Sequence, residues 1–351
     1  MPISYRENYL RTLEFRNPEW IPMHLDPAPA TWHRYREDLE ELVLRHPLIF
    51  PNYQKGSIDF DHFAAVYREN QYYTDNWGCV WYNAQDGMEG QVVESPLADW
   101  DAFDTYQPPD PMLKSERGER DWEQIEKDVA ARKQRGELTS GTGERLFDRL
   151  YFLRGFENLM IDIATDDPRL PRLIEMLTDY EMRLVGKWLE IGVDMIRFHT
   201  DIGTQQALMI SPGKFRKYIK PMFMKLFRTC RQGGSHVSLS SDGRLLEIVE
   251  DLVECGVSMH DPQIRANTLD GIKQAYKGKL CIKLDLDRQM FPFCQPEELQ
   301  AHVAAAVKEL GSPEGGLILW AWVSPDVPLE NIEALASAME EFRTYCWDSH
   351  G

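Results

Sequence analysis

The chain has 351 residues, of which 43% are apolar, and a formal net charge of −18. It can bury one large core or two smaller ones, and no stretch approaches the roughly 20 apolar residues of a membrane span. The negative charge would repel a phosphate backbone, and no run of lysine or arginine with interleaved aromatic residues offsets it, so nucleic acid is excluded as an expected partner.

The first residues, MPISYRENYL, lack the basic-then-apolar pattern of a secretory signal. The six cysteines show neither a close pair nor the spacing of a zinc finger. We therefore expect a reduced, cytoplasmic protein with free thiols that does not associate with membranes.

The first half of the chain gives a mixed pattern. It predicts a short helix at 5–16 and a strand at 21–25, followed by an irregular, aromatic-rich excursion at about 27–135 whose last part is a charged helical segment. Regular alternation resumes near residue 139. The stretch 149–164 fits a strand, a loop and the start of a helix.

Apolar runs suited to buried strands recur in the second half, each followed by a segment with helical spacing. These runs lie at 195–198, 236–239, 257–259, 280–284 and 317–322. One predicted helix, 212–230, contains Pro221 and should be kinked there. Gly233, Gly256 and Gly311 stand where helices should end.

Strand-helix alternation of this kind predicts parallel strands, and the units number about eight, which closes a (β/α)₈ TIM barrel. We expect a single barrel domain over residues 1–351. The structural alternative is an open doubly wound sheet, but no glycine-rich GxGxxG loop follows any predicted strand.

The predicted strands end on polar residues. These ends carry His24 and Asp26, His199 and Asp201, His236 with Asp242, His260 and Asp261, Asp285 and Asp287, and Ser324 and Asp326. Because functional side chains of a barrel converge at the carboxyl ends of its strands, we expect the four histidines among them to open onto one acidic cavity. Taken alone, each of these residues is better explained as a capping or loop residue, and only the set together favours a pocket.

Several segments together resemble the uroporphyrinogen decarboxylase-like barrels, a superfamily that includes corrinoid-linked methyltransferases. The resemblance runs over nearly the whole chain, in PEWIPM, TDNWG at 74–78, LRGFENLM at 153–160, DIGTQ followed by ISPGKFRKYIKP within 201–221, HVSLSSDG at 236–243, DPQ at 261–263 and VPLENI at 327–332. The resemblance implies the barrel fold and one of the reactions catalysed within that superfamily.

The chain departs from the family patterns at several positions, and these departures narrow the choice of reaction. The stretch MHLDPAPATW lacks the arginine-bearing loop that holds the carboxylates of uroporphyrinogen, although Asp75 could stand for that family's key aspartate. The thiol-methylating branch has a His-x-Cys zinc pair, and here the sequence is His236-Val237-Ser238. A nitrogen and oxygen site for zinc from His236, His199 and Asp201 remains compatible with the sequence.

The branch that remains implies an O-demethylase component, which moves a methyl group from a small methoxylated substrate to the cobalamin of a separate corrinoid protein. We expect that substrate to be aromatic. Departure of the oxygen needs a proton donor or a Lewis acid. The predicted catalytic residues are His199, Asp201, His236, Asp242 and Asp75. The predicted substrate-binding residues are His24, Asp26, Trp77, His260, Asp285 and Trp322.

Three further expectations stay open at this stage. A decarboxylase acting on a carboxylated small molecule or a tetrapyrrole is the alternative enzyme. A corrinoid-binding scaffold without catalysis would need no convergent acid-base set. A homodimer is compatible with the sequence and is not required by it.

Overall fold

The computed structural model describes residues 3–115 and 118–348, in which helices and strands alternate. The helices, in chain order, are α1 (Tyr5–Leu13), α2 (Pro29–Arg45), α3 (Trp122–Gln134), α4 (Phe147–Arg154), α5 (Phe156–Thr165), α6 (Leu170–Ile191), α7 (Pro212–Lys214), α8 (Lys220–Gln232), α9 (Val249–Cys255), α10 (Ile264–Asn267), α11 (Leu269–Tyr276), α12 (Pro296–Leu310), α13 (Leu329–Phe342) and α14 (Tyr345–Asp348). Among the helices of these described residues, none combines the length and the apolar content needed to cross a bilayer.

The strands of the described residues form a parallel set of seven, a sheet of three and a pair. In chain order they are β1 (Met23–Pro27), β2 (Gln71–Thr74), β3 (Val80–Asn83), β4 (Gln91–Glu94), β5 (Lys114–Ser115), β6 (Gly118–Glu119), β7 (Ser140–Arg145), β8 (Met195–His199), β9 (His236–Ser240), β10 (Met259–His260), β11 (Cys281–Asp285) and β12 (Leu317–Val323).

The chain divides into two compact units. The first unit comprises the N-terminal segment up to Glu7, Tyr73–Trp81 and Val92–Asp261, and the second comprises Asn8–Tyr72, Tyr82–Gln91 and the chain from Pro262 onward. Parallel strands form the centre of each unit, in agreement with the predicted strand-helix alternation.

In the first unit, β7, β8, β9 and β10 are hydrogen-bonded in that order. Met195 at the start of β8 pairs with His236 at the start of β9, and His199 at the end of β8 pairs with Ser240 at the end of β9. β7 contains a register shift between Thr142 and Arg145. This register brings the carboxyl ends of the four strands to one edge of the unit.

Helix α6 covers part of this sheet through a close approach to β7. The indole N–H of Trp188 donates to the carbonyl oxygen of Thr142 at 3.1 Å. A Cβ added at Gly141 would lie 2.3 Å from the Trp188 ring, so glycine is required for this contact. The apolar face of α6, which includes Leu173, Leu177 and Leu184, is fully buried.

In the second unit, β12 lies between β1 and β11. Asp26 of β1 pairs with Trp322, and Asp285 of β11 pairs with Trp320. Both pairs lie near the carboxyl ends of these parallel strands, where side chains of different strands can meet.

Most strands predicted from the sequence are confirmed, and so are the helix ends at Gly233, Gly256 and Gly311. The strand predicted within 149–164 was wrong, because that stretch forms α4 and α5. The described residues therefore contain seven parallel strands rather than eight, four in the first unit and three in the second. The excursion predicted to be irregular begins with the 17-residue helix α2.

The predicted kink at Pro221 takes a specific form. A π-helical turn at Phe215–Ile219 separates α7 from α8, and Pro221 lies in the first turn of α8. Proline has no N–H to donate to the preceding turn, so the regular hydrogen-bond ladder cannot continue through this position. All six cysteines lie in the described residues and are free, as expected.

Candidate functional site

The ends of β7, β8 and β9 are tied together by hydrogen bonds that backbone N–H groups donate. The N–H of Leu146 donates to the carbonyl oxygen of His199 at 3.1 Å, and the N–H of Phe147 donates to the hydroxyl oxygen of Thr200 at 2.9 Å. The N–H of Thr200 donates to the carbonyl oxygen of Ser240 at 2.8 Å. These bonds fix the start of α4 against the end of β8.

A buried carboxyl group results from this arrangement. Asp148 lies in the first turn of α4, and its side chain is 1% exposed. Its Oδ1 atom accepts hydrogen bonds from the Tyr151 hydroxyl at 2.7 Å and from the N–H of Asp201 at 2.8 Å. Asp148 is thus held rigidly beside the predicted pair of His199 and Asp201.

His199 stands between two carboxyl groups. Its Nε2 atom lies 3.9 Å from Oδ2 of Asp148 and 4.0 Å from Oδ1 of Asp201. The imidazole is 46% exposed, so the cluster of Asp148, His199 and Asp201 is open to a small molecule on one side. We call these three residues the acid-histidine cluster.

The acid-histidine cluster keeps a proton that an ordinary aspartate would release. Burial, reinforced by the charge of Asp201, raises the pKa of Asp148 to about 6, against the opposing effects of His199 and the two hydrogen bonds. Burial and the neighbouring Asp148 also raise the pKa of Tyr151, which stays a hydroxyl donor. Asp148 can therefore donate a proton near neutral pH, as a general acid must.

The same three side chains have a geometry that could hold a metal ion. Their ligand atoms all lie within 4.8 Å of one another. The separations of 3.9 and 4.0 Å are within the span of two metal-ligand bonds of about 2.0–2.2 Å each. A mixed nitrogen and oxygen set suits zinc and other divalent first-row metals.

Two glycines bring the loops after β8 and β9 into contact. Gly243 has a φ of +90°, and a Cβ added there would lie 2.3 Å from the carbonyl carbon of Gly203. This approach lets the N–H of Asp242 donate to Oδ1 of Asp201 at 2.9 Å. The predicted residues Asp201 and Asp242 are therefore brought together, with Asp242 acting on Asp201 through its backbone.

The loop after β9 is also held by the end of β10. Asp261 accepts hydrogen bonds from the Ser240 hydroxyl at 2.5 Å and from the N–H of Ser241 at 3.0 Å. The Ser241 hydroxyl oxygen in turn accepts from the N–H of Ile202 at 3.2 Å. Asp261 thus organises this edge, with each of its carboxylate oxygens engaged by a protein donor.

Asp75 is bound on all sides by protein groups. Its Oδ1 atom accepts from the N–H groups of Trp77 at 3.0 Å and Cys79 at 2.9 Å. Its Oδ2 atom accepts from the Arg149 guanidinium at 2.7 Å and the Trp81 indole at 3.1 Å. This arrangement favours a role in shaping the loop at 75–81.

Trp77 was predicted to contact substrate, but the structure buries it. It is 1% exposed, and its indole N–H donates to Oε2 of Glu144 at 2.8 Å. Its ring packs 4.6 Å from that of Tyr180 and 5.2 Å from the Arg149 guanidinium. Burial would raise the pKa of Glu144, but the charge of Arg149 and three hydrogen-bond donors lower it. Glu144 therefore stays ionised beside Arg149.

His236 requires a correction. It is the first residue of β9, so it lies at the amino end of the strand, whereas His199 ends β8. Its Nδ1 atom contacts the Arg231 guanidinium at 2.6 Å and the Ser258 hydroxyl at 3.3 Å. Across a five-residue strand the two ends are about 13 Å apart, so His236 cannot share a metal with His199 and Asp201.

His260 is the last residue of β10, as predicted, but its side chain lies on the other face of the sheet. It is fully buried and pairs with Leu239, whose side chain lies on the face opposite to Ser240. Burial lowers its pKa despite the charge of Asp261, so the ring is neutral at neutral pH. The structure does not bring His260 to the acid-histidine cluster.

The remaining predicted residues belong to the second unit. Oδ2 of Asp26 accepts from the Trp320 indole at 2.7 Å, and His24 pairs in register with Trp320. Asp285 lies 3.4 Å from the Arg288 guanidinium, which is 5.4 Å from the Trp322 ring centroid. These residues form their own polar and aromatic cluster at the ends of β1, β11 and β12.

Sequence reasoning missed Asp148 and Tyr151. Tyr151 lies in the stretch 149–164 that was interpreted as beginning with a strand, Asp148 lies immediately before it, and the actual strand β7 ends at Arg145. Placing that strand at 140–145 would have identified Asp148 as a residue just beyond a strand end, like Asp201.

Three comparisons with known proteins bear on the family and the fold. The family model described as uroporphyrinogen decarboxylase (URO-D) matches residues 85–342. Uroporphyrinogen decarboxylases from two strains of Thermus thermophilus are each 25% identical over 177 residues, which is 48% of this chain and 48% of theirs, so the chain spans about half the length of the curated relatives it matches. A solved methyltransferase from Methanosarcina mazei superimposes with a TM-score of 0.64 at 16% identity, covering 97% of this chain and 99% of that one, and therefore shares its fold.

Proposed function

Since the chain belongs to the uroporphyrinogen decarboxylase (URO-D) family, we propose that it is the member of a corrinoid-dependent system that demethylates a methoxylated aromatic compound. The methyl group passes to the cobalamin of a separate corrinoid protein. The observation that carries this proposal is the acid-histidine cluster, in which a buried aspartate with a pKa of about 6 lies beside a half-exposed histidine at the ends of parallel strands.

The cluster suits the difficult part of this reaction. When bound on its partner, reduced cobalamin supplies the nucleophile that takes the methyl carbon. The C–O bond breaks, its electron pair stays on the oxygen, and that oxygen needs a proton because an aryloxide leaves poorly from an alkyl ether. Asp148 carries the proton, His199 is exposed next to it and can relay it, and Asp201 orients both groups.

Tyr151 and Asp242 support these roles without contacting the substrate in the proposal. The Tyr151 hydroxyl fixes the Asp148 carboxyl group, and the N–H of Asp242 fixes the Asp201 carboxylate. Preorganised groups of this kind lower the barrier because they need not reorient as charge develops.

A divalent cation is the alternative source of assistance at the same oxygen. Asp148, His199 and Asp201 would hold it, and it would act as a Lewis acid. The zinc expected from the sequence would then use Asp148 where His236 had been assigned. Dialysis against EDTA separates the two mechanisms, because proton donation predicts an unchanged rate and a metal site predicts loss of activity that Zn²⁺ restores.

Decarboxylation remains the second candidate function. The matched relatives from Thermus thermophilus bear the name uroporphyrinogen decarboxylase. Against this candidate, Asp75, which could stand for that family's key aspartate, has both carboxylate oxygens engaged by protein donors.

The test uses free cob(I)alamin as the methyl acceptor. Full-length protein is mixed with a methoxybenzoate under anaerobic conditions, and methylcobalamin and the phenol product are quantified in single turnover. We expect both products in equal amounts, and neither when cobalamin is omitted. Phenol formation without a corrinoid would contradict the proposal, and release of CO₂ from a carboxylated tetrapyrrole would favour the decarboxylase.

A further inference from the structure

One cationic side chain on the sheet of the first unit has no hydrogen-bond or ion-pair partner among residues 3–115 and 118–348. Arg197 lies in the middle of β8, two residues before His199, and is exposed. Among the described residues, no hydrogen bond or ion pair engages its guanidinium group, although the chain has 57 acidic residues against 39 basic ones. The other residues of β8 apart from His199 are buried, so the exposure of Arg197 is not that of a frayed edge strand.

The neighbours of Arg197 in the sheet are small and at least partly exposed. Thr142 of β7 and Ser238 of β9 pair with it on either side, and both have short polar side chains. Barrel interiors are ordinarily filled by bulky branched residues at such positions. The row of Thr142, Arg197 and Ser238 therefore offers hydrogen-bond donors where a packed layer is expected.

The next row along the strands contains His199 of the acid-histidine cluster. His199 pairs with Arg145 on β7 and Ser240 on β9, and it projects from the same face of β8 as Arg197 because side chains alternate along a strand. Two residues of a parallel strand span about 6.6 Å. One aromatic ring with substituents at opposite positions can bridge that spacing.

We infer that Arg197 binds the carboxylate of the substrate, so that the substrate class is methoxylated aromatic acids. The identity of the methoxy end rests on the proposed function, whereas the anion site rests on Arg197 itself. Arginine presents a planar pair of N–H donors that matches the two oxygens of a carboxylate, and Thr142 and Ser238 supply further donors beside it. Binding at this row places the far end of the ring at His199.

Isothermal titration calorimetry of full-length protein without cobalamin tests the anion site. The probes are 4-methoxybenzoate and the neutral 4-methoxybenzyl alcohol. The variants are Arg197→Gln, Arg197→Lys and the control Arg228→Gln. The control removes the same charge from an exposed position on α8, where the guanidinium donates to the carbonyl oxygen of Glu254 at 3.2 Å.

We expect Arg197→Gln to weaken binding of the benzoate by roughly 10- to 100-fold, the loss typical of a charge-assisted hydrogen bond, and to leave binding of the alcohol unchanged. The affinity of Arg197→Lys for the benzoate should lie between those of the wild type and Arg197→Gln. Arg228→Gln should bind the benzoate like the wild type. Equal binding of the benzoate by wild type and Arg197→Gln would overturn the inference, as would failure of the wild type to prefer the benzoate over the alcohol.

Two further outcomes separate this inference from the proposed function. If Arg197→Gln does not fold, the comparison of the two probes on wild-type protein and on Arg197→Lys still decides the question. Charge-dependent binding without any methyl transfer to cob(I)alamin would retain the anion site and reject the demethylase. Methyl transfer from neutral and acidic methoxyaromatics with equal efficiency would retain the demethylase and reject the anion site.

Discussion

The hydroxyl group of Tyr151 donates a 2.7 Å hydrogen bond to Oδ1 of Asp148, one turn earlier on α4. Burial and the charge of Asp201 raise the pKa of Asp148 to about 6, and the Tyr151 hydrogen bond, together with His199 and the N–H of Asp201, opposes that rise. The tyrosine therefore favours release of the proton from the buried acid.

Removing this bond should shift the pH profile upward. In the proposed reaction Asp148 acts in its protonated form, so activity is present below its pKa and falls as the pH rises through about 6. Tyr151→Phe leaves the carboxylate with one donor fewer, which raises the pKa of Asp148. Single-turnover rates measured from pH 4.5 to 8.5 should show the descending limb displaced to higher pH, and a displacement to lower pH would refute the assignment.

Replacing the acid itself should separate activity from stability. Because the native pKa of Asp148 lies above the ordinary value, the native state binds a proton that the unfolded state has released between about pH 4 and 6, and stability is lost as the pH rises through this window. Asp148→Asn removes this cost, so its free energy of unfolding at pH 8 should exceed that of the wild type by about 2–3 kcal/mol.

The same variant should lose roughly 10²–10⁴-fold in the rate of methyl transfer, the usual contribution of a general acid. Asp128→Asn, on an exposed position of α3, is the control and should change neither quantity. Chemical denaturation at pH 4 and pH 8, with single-turnover kinetics on the same preparations, gives both readouts. A stable Asp148→Asn protein with wild-type activity would remove Asp148 from the mechanism.

The two histidines at opposite ends of β8 and β9 should respond in opposite ways to alanine. His236 is buried and contacts Arg231 and Ser258, so His236→Ala should lower the free energy of unfolding by about 1–3 kcal/mol with activity per folded molecule retained. His199 is half-exposed, so His199→Ala should leave the melting temperature nearly unchanged and reduce activity. Reversal of this pattern would return His236 to the candidate site.

The contact between Gly203 and Gly243 should prove essential to the site. Gly243→Ala places a Cβ 2.3 Å from the backbone of Gly203 at a φ of +90°, so we expect a loss of stability beyond the roughly 1 kcal/mol of the positive φ alone, together with reduced activity. Gly234→Ala is the matched control, since it has a φ of +88° and no atom within 4 Å of the added Cβ. Equal melting temperatures for the two variants would show that the approach of the loops is unimportant.

The sequence by itself determined the parallel strand-helix pattern and one half of the candidate site. Apolar runs and glycine stops are local signals, and they located β8, β9, β11 and β12. His199 and Asp201 could be identified because both follow directly from one strand end, with no information from elsewhere in the chain.

Only the tertiary structure decided which residues complete the acid-histidine cluster and which of the predicted residues lie outside it. Asp148 reaches Asp201 across 53 residues of sequence, and Asp75 is neutralised by Arg149 across 74 residues. Periodicity shows where a strand lies but not which partners surround a side chain at its ends. His236 begins the predicted run 236–239, so its position at the amino end was visible in the sequence, and only its contacts with Arg231 and Ser258 needed the folded chain. The raised pKa of Asp148 likewise arises from desolvation by distant segments packed around it, a property that exists only in the folded chain.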